Sequence, residues 1–153
     1  MSTPARRLAA ALDLNPRDAA IALAEARKEQ GDWLDEFATE LDRHRASSSL
    51  ARTLSNWGLS QSDAARLFGV SRQAVSKWLE QGVPPERAET MADLGAATDF
   101  LVHYVKRERI PAVVRRPAPA LDNRSLLDLV AAGDSRGALV ACREMFAFDR
   151  AHN

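Results

Sequence analysis

The chain has almost no cysteine: Cys142 stands alone among 153 residues. An internal disulfide framework is excluded, and a lone thiol in an apolar helical pattern suits a buried position in a reducing compartment. Long apolar runs are missing too. None approaches the roughly 20 residues of a membrane span, and the apolar part of the opening MSTPARRLAAALDL is too short for a secretory signal. A cytoplasmic protein with no membrane partner is expected. His44, His103 and His152 lie far from one another and from Cys142 in sequence apart from the last pair, which leaves no metal-ligand spacing. There is no glycine-rich phosphate loop, no His/Cys/Asp cluster and no serine elbow, so neither catalysis nor a cofactor nor a metal is expected.

Charge of one sign is also missing, since net charge is zero. It is unevenly placed, however. Residues 47–82 carry Arg52, Arg66, Arg72 and Lys77 against Asp63 and Glu80, or +2, whereas residues 1–46 carry seven basic and nine acidic groups, or −2. Attraction to phosphate would be local to that middle segment, and its small surplus favours two copies acting together. Apolar residues at 46% and charged residues at 27% are ordinary for a soluble chain of one domain or two small ones. The apolar residues recur at helical spacing, so the expected fold is all-α.

What is present is a motif, LSQSDAARLFGVSRQAVSKWLEQG, from Leu59 to Gly82. Ser60 and Asp63 have the form of a capping box that opens a helix at about Gln61. Ala64 and Phe68 lie on one face, and Ala65 is small where a second helix must pass. Gly69 suits the left-handed residue that leaves a helix, Val70 returns to the core, and Ser71 caps the next helix. There Val75, Trp78 and Leu79 are apolar, while Arg72, Gln73, Ser76, Lys77 and Glu80 share the opposite side. The spacing is that of a helix-turn-helix. Arginine can bond guanine O6 and N7, glutamine can bond adenine N6 and N7, and first-turn residues enter the major groove deepest. The candidate DNA-binding residues are therefore Gln61, Ser71, Arg72, Gln73, Ser76 and Lys77. The competing reading is an amphipathic helix pair with a solvated polar face.

The run AARLFGVSRQAVSKWLEQG resembles the helix-turn-helix of the Xre or Cro/C1 family of bacterial and phage regulators. The likeness spans roughly residues 48–94. It implies a five-helix DNA-binding domain whose second motif helix reads bases, at positions matching Ser71, Arg72, Gln73, Ser76 and Lys77.

Around the motif the reading is helical throughout. A short helix is expected from Pro4 to Leu12. Asn15 and Pro16 open a second that Gly31 stops, and Asp32 caps a third with Trp33, Phe37 and Leu41 as an apolar stripe, joined by Leu34. Ser47, Ser48 and Ser49 read as a turn and cap before a helix carrying Leu50, Leu54 and Trp57 into Gly58. After Gly82, Pro85 opens a helix that runs to about Lys106, with Gly95 as a point of kink or division. The basic residues around Pro111 and Pro117 suit either phosphate contact or a solvated connector. A short helix follows Pro111, another is expected from Asp122 to Gly133, and Asp134 caps the last, where Leu139, Val140, Met145, Phe146 and Phe148 offer an apolar surface.

The segment IPAVVRRPAPALDNRSLLDLVAAGDSRGALVACREMF resembles the toxin-binding region that follows an Xre-type helix-turn-helix in antitoxins of toxin–antitoxin pairs. That likeness implies a toxin of the NAD-degrading kind as partner, held through residues 111–148, with the complex repressing its own operon. The expected division is 1–46 as an N-terminal helical extension for dimerisation, 47–106 as the DNA-binding domain, and 107–153 as a C-terminal region for partner binding or dimerisation. Double-stranded DNA and a second copy of the chain are the expected partners of a transcriptional repressor. A stand-alone regulator and a protein-interaction module without DNA binding are the alternatives.

Overall fold

Residues 13–29 and 31–147 are described in the structure, a computed structural model. The expected helix from Pro4 to Leu12, together with Phe148 and His152, lies outside them. Apart from one isolated bridge between Ala118 and Arg124, every regular element among the described residues is helical. The all-α expectation holds. The chain separates into two compact units, 1–41 and 42–153.

In the first unit, helix α1 spans Pro16–Glu29 and α2 starts at Gly31. Asn15 opens α1 as expected: its Oδ1 accepts the Asp18 N–H at 2.9 Å. Leu34 is buried and Leu23 and Phe37 are half-buried, with Trp33 stacked on Phe37 at 5.5 Å between ring centroids. A groove of about 300 Å³ runs between Leu23, Ala24, Leu34, Phe37 and Leu41.

Helix α2 runs unbroken over Gly31–Trp57, which corrects the turn expected at Ser47–Ser49. Serine costs a helix little when its hydroxyl bonds a carbonyl one turn back, and no glycine or proline interrupts the run. Thr53 Oγ1 donates to the Ser49 carbonyl at 2.8 Å, and Ser47 Oγ lies 3.1 Å from the Arg43 carbonyl oxygen. Ala46, Leu50, Leu54 and Trp57 then give the helix a continuous buried side.

The second unit continues with α3 (Gln61–Phe68), α4 (Arg72–Gln81), a single 3₁₀ turn at Pro85–Arg87, α5 (Ala88–Tyr104), α6 (Ile110–Arg115), α7 (Leu126–Ala131) and α8 (Ser135–Met145). Helix α5 packs along α8, which packs on α7, and α7 in turn packs on α3 and α6. Leu50, Trp57, Val75, Met91, Leu94, Leu101, Ile110, Val114, Leu126 and Cys142 are buried in one cluster. Burial pushes the Cys142 thiol up to about 12, away from nucleophile chemistry.

Two further expectations need correction. Helix α5 passes through Gly95 without division. The bare Cα there lets α5 close on α2, because a Cβ would lie 2.9 Å from Ser49 Oγ, and beside it the Thr53 and Thr98 hydroxyls meet at 3.2 Å. The helix expected from Asp122 begins only at Leu126. Asp122 and Asn123 take positive φ of 55° and 59°, a conformation their side chains tolerate, and Ser125 and Asp128 form the capping box that actually starts the helix.

Arg115 has an internal role. Its Nη1 donates to the carbonyls of Trp57 at 2.9 Å and Pro111 at 2.8 Å, and Nη2 donates to that of Gly58 at 3.0 Å. It thereby satisfies carbonyls at the C-terminal end of α2, where no intrahelical donor remains. No helix among the described residues is long and apolar enough to cross a membrane.

Candidate nucleic-acid interface

Helix α3 starts where the serine–aspartate spacing places it. The Ser60 N–H donates to Asp63 Oδ2 at 2.9 Å and the Asp63 N–H donates to Ser60 Oγ at 3.1 Å. The backbone N–H of Ser60, then its hydroxyl, then Arg66 at 2.6 Å hold the Asp63 carboxyl down from 3.8 to about 2. Asp128 is lowered in the same direction by the Ser125 N–H and hydroxyl. A depressed carboxyl contributes stability above its unfolded value and loses it as pH falls through the folded one. Acidification from about pH 4 towards 2 should therefore weaken the fold. Asp63→Asn should flatten part of that dependence in denaturant titrations at several pH values, and an unchanged profile would count against the cap.

The chain leaves α3 through Gly69 at φ 64°, and the Val70 N–H reaches back to the Ala65 carbonyl at 2.9 Å. Ser71 Oγ accepts the Ala74 N–H at 3.1 Å and opens α4. Val75 and Trp78 are buried, and the half-buried Phe68 ring lies tilted against Trp78 at 6.1 Å. At its far end α4 is tied to α2. Ser47 Oγ donates to the Trp78 carbonyl at 2.5 Å, and the Val83 N–H donates to that of Arg43 at 3.4 Å.

Helix α4 is thus held along its inner side and at its C-terminal end, leaving one face outward. Arg72, Gln73 and Lys77 are exposed there, with Ser76 half-buried between them and Glu80 exposed one turn on. Positions 72, 73, 76, 77 and 80 fall on one side at 3.6 residues per turn. Ser71 is also exposed; its oxygen accepts from Ala74 and still has its proton and a second lone pair to offer. Gln61, half-buried, is the first residue of α3. Helix α4 therefore brings Arg72, Gln73, Ser76 and Lys77 together, and Ser71 and Gln61 stand at the N-terminal ends of the two motif helices.

Ser47 was not legible as a support for this face. Its partner is 31 residues away, and no local pattern signals it.

No protein-family model and no curated protein matches the chain. A solved structure does: a chain in the crystal structure of the M. tuberculosis MbcT–MbcA toxin–antitoxin complex is similar, with a TM-score of 0.54 and 22% sequence identity. The chain shares that fold. The match covers 65% of this chain and 91% of the other.

Proposed function

We propose that the chain is a sequence-reading DNA-binding repressor that acts as a dimer and serves as the antitoxin of a toxin partner. The observation that carries the DNA reading is the outward face of α4, where Arg72, Gln73 and Lys77 are exposed on a helix whose other side is packed. In a major groove, Arg72 and Gln73 would bond base edges and Lys77 a phosphate. Exposed Val140 and Met145 on α8 support a protein partner at the C-terminal region. In the first unit, Ile21 at 53% exposed, Leu41 at 48% and Trp33 at 38% support self-association there. The fold shared with a component of a toxin–antitoxin complex supports the antitoxin assignment.

Selection of bound DNA from a random pool tests the reading directly. Two half-sites spaced by about one helical turn, 10–10.5 bp, are expected for a dimer. On the selected site, Arg72→Ala and Gln73→Ala should each cost about 1–3 kcal/mol and relax preference at one position. Lys77→Ala should weaken all sequences evenly and lower the salt slope by about 1. Equal loss on every sequence for all three variants would refute base reading, and absence of any enriched sequence would remove DNA recognition altogether. Co-purification from cells completes the test: a co-eluting toxin supports the antitoxin assignment, whereas self-association alone leaves a stand-alone regulator.

A further inference from the structure

Arg87 lies outside the helix-turn-helix, on the 3₁₀ turn at Pro85–Arg87, yet it touches both helices of the motif. Its Nη1 donates to the Phe68 carbonyl at 3.3 Å, and its guanidinium carbon sits 5.1 Å from the centroid of the Trp78 ring. The first partner is the last residue of α3 and the second is the buried anchor of α4. The Gly69 and Val70 N–H groups turn back to the carbonyls of Arg66 and Ala65, so a side chain from elsewhere serves the Phe68 carbonyl. A cation there also meets the negative end of the helix dipole.

Trp78 and Phe68 are themselves in ring contact. One planar cation therefore closes a three-membered cluster spanning the motif's turn, on the side away from Arg72, Gln73 and Lys77. Its own position is set by the turn, in which the Arg87 N–H donates to the Pro84 carbonyl at 3.0 Å. We infer that Arg87 is a positioning residue for base reading: it holds α4 at a fixed angle to α3, and so determines where Arg72 and Gln73 meet the bases. This rests on the DNA-reading function proposed above. Lysine could supply the charge but not the flat face and the directed N–H together, so the two are not interchangeable here.

The test compares Arg87→Ala, Arg87→Lys and the full-length wild type on the selected operator and its single-base variants, with amide NMR spectra of each protein free of DNA. Arg87→Ala should keep the helical fold, weaken the operator by about tenfold, and flatten discrimination at the bases read by Arg72 and Gln73. The salt slope should stay at the wild-type value, because no phosphate contact is lost. Arg87→Lys should fall between the two, and amides of both α3 and α4 should shift in the alanine variant. If that variant fails to fold, Arg87→Gln, which keeps a planar donor, replaces it in every arm. Unchanged affinity with unshifted α4 amides overturns the inference. A salt slope lower by about one with discrimination intact does so too, since it would make Arg87 a phosphate contact. Should the wild type select no DNA, the functional reading fails, and the amide shifts alone decide whether Arg87 sets the angle of α4.

Discussion

Ending the chain at Lys106 is expected to abolish cooperative folding of what remains. Helix α8 packs extensively on α5 in the second unit, and α5 buries Met91, Leu94, Ala97 and Leu101. Exposing a Leu or Met of this kind costs about 1.5–3 kcal/mol, so losing cover over three approaches a typical whole-domain stability of about 5–15 kcal/mol. Polar contacts are lost as well. Asp93 is buried, accepts from Ser135 Oγ at 3.1 Å and pairs with Arg136 at 3.1 Å. Truncation removes both partners, and with them the polar contacts that fasten α8 to α5. Arg115 leaves as well, and with it the donors for the Trp57 and Gly58 carbonyls. Circular dichroism and urea titration of residues 1–106 beside the full chain would measure this. A cooperative transition at near full-length stability would show the last third to be a detachable appendage.

Trp57→Ala should be the most damaging point substitution, at about 3–5 kcal/mol. The side chain is fully buried at the end of α2, in the cluster that includes Leu50, Val75 and Ile110. Its Nε1 is buried with no hydrogen-bond partner among the described residues. That orphaned donor separates volume from polarity. Phenylalanine keeps most of the ring and removes the unpaired N–H, whose burial costs about 1–3 kcal/mol. Trp57→Phe is therefore expected to cost far less than Trp57→Ala, with both read from urea midpoints at constant slope. An alanine variant within about 1 kcal/mol of wild type would mean that this ring does not organise the core.

The candidate site was largely legible because its signals are local. Ser60 with Asp63, Gly69 and Ser71 act on groups within five residues, so sequence spacing is nearly the same as spatial spacing. The outward placement of Arg72, Gln73 and Lys77 follows from the positions of Val75 and Trp78 once the segment is helical. The serine run misled for the same reason. Read locally, three serines suit a turn, whereas Ser47 is kept in a helix with its hydroxyl on a carbonyl of α4. Asp122 misled because it stands three residues before the true cap, Ser125, in a stretch where either residue could open a helix.

By itself the sequence determined an all-α chain, the starts of α1, α3, α4 and α8, and the polar face of the motif's second helix. Each follows from bonds or periodicities that close within one or two turns of backbone. Only the tertiary structure decided that Arg115 would cap α2 from 58 residues away, that Gly95 would admit Ser49, and that Arg87 would bridge α3 and α4. An arginine has five donors and a glycine no side chain, so neither carries a partner in its own pattern. The partner exists only once the packed helices bring a carbonyl, a ring or a neighbouring backbone within reach.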